Sequence, residues 1–254
     1  MINESPQDVS ETELSRNWKK YLTPILLLLI VVVVVYLSNI SNNWFTSQKI
    51  TKYSISGTNL SDSSKFFEIA KEISFQKSKD SVLLKLIENR IEKNAYVSKC
   101  IASFSGVDGI DVSVVERTPY VYFQTNNSLN YIDKEGNLLP YKVLVEHSDL
   151  IILSGFSISD SLLLNKAIVI ASQLYERKRL SHSISEIRYI DNDKGFEFIG
   201  VFDNNTIYFG LDENVKKKIE KLNMLYTNES SKLVLRENDI LDLRWYDRII
   251  LSKK

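Results

Sequence analysis

The sequence has a single cysteine, Cys100, and two histidines, His147 and His182, among 254 residues. One thiol excludes an intrachain disulfide, so packing alone must brace the fold even in an oxidising compartment. A zinc site would need further good ligands, and neither HExxH nor a paired CxxC is present. A thiol nucleophile would have to be Cys100, which lies within a predicted strand. A cysteine there is usually a small buried hydrophobe. Glycine (8) and proline (4) are scarce, which excludes low-complexity linkers. No P-loop, GxSxG or dinucleotide fingerprint occurs. Charge of one sign is also missing: 32 basic residues balance 32 acidic ones, so no polyanion-binding surface and no nucleic-acid partner is expected. Asp191-Asn192-Asp193-Lys194-Gly195 superficially resembles a calcium loop. Phe202 stands where the twelfth-position glutamate belongs, so the stretch reads as a hairpin turn. These absences leave no catalytic residue, metal, cofactor or small-molecule substrate to assign, and favour an interaction role over an enzyme.

What the sequence does have is one long apolar block. Residues 25–37, ILLLLIVVVVVYL, carry no charge, and with weakly polar flanks the block runs from Tyr21 to Ile40. A helix of that length spans about 30 Å, the thickness of a bilayer's hydrocarbon core. A buried core helix is disfavoured because the block has no polar face. Cleavage as a signal peptide is disfavoured because Ser38-Asn39-Ile40-Ser41 offers no small-x-small site. The block therefore reads as an uncleaved signal anchor over residues 21–40. Arg16, Lys19 and Lys20 precede it, and the first cation after it is Lys49. Positive-inside then places a tail of residues 1–20 in the cytoplasm and the bulk of the chain outside, in the periplasm if the cell has an outer membrane. Trp18, Tyr21, Tyr36 and Trp44 suit the two membrane interfaces. Residues 1–17 are polar and mixed in charge, so disorder is their default.

Beyond the anchor, residues 49–56 alternate as a strand, and Gly57-Thr58-Asn59 turns the chain. Asp62 or Ser63 can cap a helix bearing Phe66, Phe67, Ile69, Ala70 and Ile73; Asp80 can cap a second with Leu83, Leu86, Ile87 and Ile91. Residues 96–104 and 110–115 read as strands joined by the loop 105–109. The order is strand, helix, helix, strand, strand. Pro119 marks a boundary, since proline cannot donate to a central ladder. Strands are expected at 120–124, 129–132, 184–190, 196–202 and 206–209, with a further apolar run at 150–153. Helices are expected at 162–175, with the charged end Glu176-Arg177-Lys178-Arg179, and at 212–226, with a stripe of Val215, Ile219, Leu222 and Tyr226. Lys216, Lys217 and Lys218 read as a solvated helix face. Residues 240–251 read as a last strand or tight hairpin. The fold class is α+β: one membrane helix, a β-α-α-β-β module and a β-rich domain with two helices.

Several local motifs occur in a telling order. Tyr53-Ser54-Ile55-Ser56-Gly57-Thr58-Asn59 ends a strand in a Gly-Asn type turn. Val112-Ser113-Val114-Val115-Glu116-Arg117-Thr118-Pro119 has the form V-x-V-x-E-R-x-P. Tyr131-Ile132-Asp133-Lys134-Glu135-Gly136 is close to Y-x-x-D-x-x-G, with one residue fewer before the aspartate. Ile207-Tyr208-Phe209-Gly210 precedes a lysine-rich helix. Leu241-Asp242-Leu243-Arg244-Trp245 is close to D-L-R-Y, with Trp245 in place of tyrosine. In this order the motifs resemble the bacterial cell-division family FtsQ/DivIB, across most of residues 20–251. The resemblance implies a POTRA domain over residues 50–117 and the family's β domain over 118–254. It implies no catalytic residue and a bitopic scaffold of the divisome, binding other bitopic division proteins (FtsB/FtsL-like) and helping to switch on septal peptidoglycan synthesis. Two other classes are weighed beside it. An outer-membrane translocator with POTRA domains would need a long C-terminal barrel, and the sequence stops at Lys254. A membrane-anchored extracytoplasmic enzyme would need a deep pocket with convergent titratable groups.

The last strand carries the sharpest expectation. A strand arriving last is commonly a sheet edge with unpaired N–H and C=O groups, to which a partner's extended segment can add. The expected contact residues are Leu243, Arg244, Trp245, Tyr246, Arg248 and Ile249. Arg244 would meet a partner carboxylate and Trp245 would supply buried area. The opposing expectation is that Leu241, Leu243 and Trp245 face the core while Arg244 is solvated.

Overall fold

The computed structural model describes residues 8–125, 128–144, 149–191, 193–201, 204–211, 213–228, 239–245 and 248–253. The chain divides into two compact units: Met1–Glu92 with Lys99–Val115, and Lys93–Ser98 with Glu116–Lys254.

The first unit begins with helix α1, Asp8–Ser47. Its stretch Pro24–Ser47 is the one described helix long and apolar enough to cross a membrane, with a mean hydropathy of 2.5 and no residue of that window buried. This suggests single-pass membrane anchoring. Two sequence expectations change here. Of residues 1–17, expected to be disordered, 8–17 continue the helix: extending an existing helix avoids the nucleation cost that a short polar segment would otherwise face. The helix also runs past Ile40 to Ser47, because no breaker occurs before Gln48.

After α1 come β1 (Lys52–Ser56), α2 (Ser63–Ser74), a 3-10 turn (Lys79–Ser81), α3 (Leu84–Ile91), β2 (Val97–Ser105) and β3 (Gly109–Glu116). The strand-helix-helix-strand-strand order is the expected one. Asp62 caps α2 by accepting the Ser64 N–H at 3.0 Å. Asp80 does not cap α3; it lies in the 3-10 turn, and Leu83 takes the N-cap position with no side-chain bond. The sheet order is β1-β3-β2, with β1 parallel to β3 in the register Tyr53↔Ile110 and Ile55↔Val112. Phe66, Ala70, Ile87, Ile91, Cys100, Ile110, Val112 and Val114 are buried. The expected apolar stripe of α2 is only partly inward, because Phe67 stays 40% exposed, edge-on to Tyr53.

The second unit contains β4 (Val121–Gln124), β5 (Leu129–Ile132), β6 (Leu138–Pro140), β7 (Ile152–Ser154), α4 (Ser161–Tyr175), α5 (Lys178–Ser181), β8 (Ile184–Tyr189), β9 (Phe196–Gly200), β10 (Thr206–Gly210), α6 (Val215–Thr227), β11 (Ile240–Asp242) and β12 (Ile250–Ser252). The short strand β6 carries no alternation long enough to be read from sequence. The cationic end expected on α4 is a separate turn of helix, α5. The nine strands form one sheet in the order β12-β11-β10-β9-β8-β7-β4-β5-β6. Alternate positions Phe123, Leu153, Ile187, Phe198, Ile207 and Leu241 join Ala167, Ile170, Leu174, Ile219 and Leu222 of the helices in one core. The helices therefore cover one face of this sheet. No single strand supplies more than two fully buried residues to that face, which suffices because the helices contribute the other layer.

Lys218 departs from the solvated face expected for it. It is 8% exposed, and its Nζ donates to the carbonyls of Phe209 and Leu211, both at 2.9 Å. Phe209 is near the end of β10 and Leu211 just past it, and a lysine one turn into α6 donates to both carbonyls. Asp212, Asn192 and His147 lie outside the described residues.

Candidate interaction surface

The sequence motifs separate in the chain but meet in pairs. Gly57 has φ +82°, and a Cβ there would lie 2.0 Å from the Val114 carbonyl oxygen. The first turn therefore needs glycine because β3 passes directly beneath it. Arg117 and Asp133, from the second and third motifs, form an ion pair with Nη1–Oδ2 at 2.9 Å. The Asp133 side chain is 1% exposed, and its oxygens also accept from the N–H groups of Glu135 (3.0 Å) and Asn137 (2.7 Å). One carboxylate thus closes the β5–β6 turn and holds the strand entry after β3. The fourth and fifth motifs meet at Tyr208, Gly210, Asp242 and Arg244. Arg244 is bidentate on Asp242, with Nε–Oδ1 at 2.9 Å and Nη2–Oδ2 at 2.7 Å, and its guanidinium carbon lies 5.4 Å from the Tyr208 ring centre. A Cβ on Gly210, φ +77°, would come 2.8 Å from Arg244 Cγ. The Arg244 guanidinium holds the Asp242 carboxyl below its ordinary pKa, and Asp242 raises that of Arg244.

Residues 240–251 form a hairpin rather than one long strand. β11 pairs antiparallel with β12 in the register Ile240↔Ser252, Leu241↔Leu251 and Asp242↔Ile250. Leu243, Arg244, Trp245, Arg248 and Ile249 belong to the connection between them, and Tyr246 lies outside the described residues. Leu243 is 1% exposed and is core, so it cannot meet a partner directly. The alternation places it on the helix-covered face with Leu241. Arg244 is committed to Asp242. Trp245 is 55% exposed, and Ile249 is half-buried against the core. Both sequence expectations for this segment are thus mixed: Leu241 and Leu243 face inward, but Trp245 does not.

The edges of the two sheets differ in how they are closed. In the first unit, β2 is an edge, yet the Cys100 N–H donates to Glu92 Oε1 at 3.0 Å and the Ala102 N–H to Glu88 Oε1 at 2.9 Å. Two carboxylates of α3 occupy donors that an incoming strand would need. In the second unit, β6 carries Pro140, which has no N–H, and the Pro140 carbonyl accepts from the Tyr96 hydroxyl at 2.6 Å. On β12, by contrast, no described strand pairs the outer side, and Ile250 is 39% exposed. The residues alternating with the core positions form a paired polar face: Arg188 bonds Glu186 and Glu197, Ser154 donates to Glu186, and Asp242 holds Arg244.

Residues 118–252 match the family model described as FtsQ/DivIB, C-terminal related, which is just over half of the chain. The chain belongs to the FtsQ/DivIB family. No curated protein matches it. FtsQ/DivIB proteins are in general non-enzymatic division proteins, so the family assigns this chain to cell division and to interactions with other division proteins.

The titratable groups of this FtsQ/DivIB chain are mostly spent on structure. A cleft of about 450 Å³ in the second unit is lined by Tyr122, Asp149, Tyr175, His182, Ser185 and Val201, among others. Its Tyr175 hydroxyl accepts the Ile151 N–H at 2.9 Å and donates to the Tyr120 carbonyl at 3.1 Å; burial pushes it up to about 12. Burial likewise pushes the Cys100 thiol up to about 11, the opposite of what an attacking thiolate requires. Among the described residues no group of three or more His, Cys, Asp or Glu comes together as a metal site.

Proposed function

We propose that this FtsQ/DivIB chain is a bitopic, non-enzymatic scaffold of the divisome. Residues 50–117 act as a POTRA domain and residues 118–254 as the β domain, outside the membrane, with residues 1–20 in the cytoplasm. The β-α-α-β-β order with β1 parallel to a central β3 supports the first assignment. An extended segment of another bitopic division protein (FtsB/FtsL-like) adds to the second sheet and helps to regulate septal peptidoglycan synthesis. The observation that carries this reading is the outer side of β12, which no described strand pairs, beside the exposed Trp245; at the opposite edge of the same sheet β6 carries Pro140, whose carbonyl is taken by the Tyr96 hydroxyl. Main-chain bonds along β12 supply affinity, and Trp245 with Ile250 supply buried apolar area.

The structure changes which variants test this. Arg244→Glu would set a second carboxylate beside Asp242, so a loss of binding would report misfolding. Trp245→Ala and Ile250→Ser remove exposed apolar area and add no charge opposite Asp242, the cross-strand partner of position 250. In the full-length chain, Trp245→Ala should weaken partner affinity by about 2 kcal/mol or more, with an unchanged melting temperature. A photocrosslinker at position 250 should link to an extracytoplasmic segment of a bitopic division protein in dividing cells. Wild-type affinity in both folded variants would remove β12 and its connection from the interface.

A further inference from the structure

The first unit has a second surface, at the end where α1 leaves it. The last turn of α1 presents Trp44 and Phe45, 58% and 41% exposed. Phe45 is held by Lys79, whose Nζ lies 3.5 Å from the Phe45 ring centre and 5.6 Å from that of Phe104, and donates to the Gly106 carbonyl at 2.7 Å. Lys79 is only 5% exposed. Three elements that are far apart in sequence are thus joined through one ammonium group: the end of α1, the 3-10 turn and the β2–β3 turn. Backbone bonds tighten the same end. Ile50 N–H donates to Lys77 at 3.0 Å, Gln76 N–H to Ile50 at 3.1 Å, and Thr51 N–H to Asp108 at 2.9 Å. Phe45 lies two residues before the end of the candidate span, so whatever is fastened to it sits at the depth where that helix leaves the bilayer.

At this depth the surface is apolar and cationic together. Phe75 is 45%, Val107 40% and Phe104 38% exposed. Lys71 lies 5.5 Å from the Phe75 ring centre, and Lys49 and Lys77 are exposed beside it. The acidic groups at this end are Asp80 and Asp108, and Asp108 is engaged by Lys52 at 3.2 Å and by the Thr51 hydroxyl at 2.7 Å. Exposed aromatic and aliphatic side chains ringed by lysines are the chemistry of a protein face lying in a headgroup layer. The rings enter the acyl boundary and the ammonium groups meet lipid phosphates. In water much of this apolar area stays uncovered, even with Lys71 and Lys79 over the Phe75 and Phe104 rings.

We propose that this end of the first unit, through Phe75 and Val107 with Lys49 and Lys77, rests on the phospholipid headgroups of the membrane that α1 spans. The occupant is lipid rather than a protein because the surface is continuous with the anchor and is clamped to its last turn. The inference rests on the reading of α1 as a membrane anchor, and its test separates the two. The full-length chain is placed in nanodiscs containing phosphatidylglycerol and phosphatidylcholine, with a single fluorescent label at Val107→Cys. Phe75→Cys serves as a second site should the first variant misfold. Ser56→Cys, exposed at the far end of β1, is the reference. Cys100 is buried and stays unlabelled. Labels at 107 and 75 should be quenched several-fold more by headgroup-nitroxide lipid than the label at 56, and be shielded from aqueous iodide. Adding Lys49→Glu and Lys77→Glu should abolish much of that difference. Equal iodide access at 107, 75 and 56 in a chain that has inserted would overturn the inference and leave the anchor standing. A chain that does not co-purify with nanodiscs would overturn both.

Discussion

At the scale of single residues, the charged side chains of the family motifs act as clamps within the fold. Arg117 and Asp133 show this most clearly, because the carboxylate is fully enclosed and accepts from the guanidinium and two backbone N–H groups. Removing one partner of such a pair leaves the other charge buried without compensation. Arg117→Ala should therefore lower the unfolding free energy by about 3 kcal/mol, and Asp133→Asn by somewhat less, since the amide oxygen can still accept. Denaturant titration of the full chain in detergent, followed at a probe in the second unit, reads both. A change below about 0.5 kcal/mol, ordinary for a surface substitution, would show that the pair is dispensable. The same logic explains Leu243. It sits between Asp242 and Arg244 in sequence, yet alternation sends it to the core while its neighbours stay on the polar face.

At the scale of elements, β2 and β12 differ in whether side chains already occupy the edge. An unpaired edge invites another strand, and β2 avoids this because α3 lays Glu88 and Glu92 along it. The Ala102 N–H and Lys85 hold the Glu88 carboxyl below its ordinary pKa, against the opposing effect of burial. The sign of the pH effect follows. A carboxyl with a depressed folded pKa contributes stability that is fully present above its unfolded value. That contribution is lost as pH falls through the folded value. Acidification below the usual carboxylate range should therefore loosen β2 before it affects the far sheet. Hydrogen exchange at Cys100 and Ala102 should rise as the pH falls, after correction for intrinsic exchange rates. Glu88→Ala with Glu92→Ala should reproduce that rise at neutral pH. Unaltered protection in the double variant would mean that the edge is closed by something other than these carboxylates.

For the whole molecule, one apolar helix suggests single-pass membrane anchoring, and its flanks predict an orientation. Arg16, Lys19 and Lys20 precede it and no cation follows before Lys49, which sets the expected orientation. Protease added outside spheroplasts should digest the chain beyond about residue 45 and spare the tail, because only the tail is then behind the bilayer. Immunodetection of N- and C-terminal tags reads the outcome. A protected C-terminal tag with a digested N-terminal one would reverse the orientation and exclude an extracytoplasmic β domain.

The sequence by itself determined the long apolar helix, the β-α-α-β-β order, the helices α2, α4 and α6, and the family. These depend on local signals: an unbroken apolar run, the periods of two and of about 3.6 residues, a capping Asp62, and motif order. The tertiary structure alone decided what depends on contacts between distant residues. It closed the last segment into a hairpin, so the edge is β12 and Trp245 lies in the connection. It turned Lys218 inward, where its Nζ donates to the Phe209 and Leu211 carbonyls. It also brought Arg117 to Asp133 and Lys79 to Phe45. Periodicity shows which face of an element is apolar, but not which polar group will satisfy a carbonyl or carboxylate left over at its end. That pairing is set by where the chain returns, and only the folded chain specifies it.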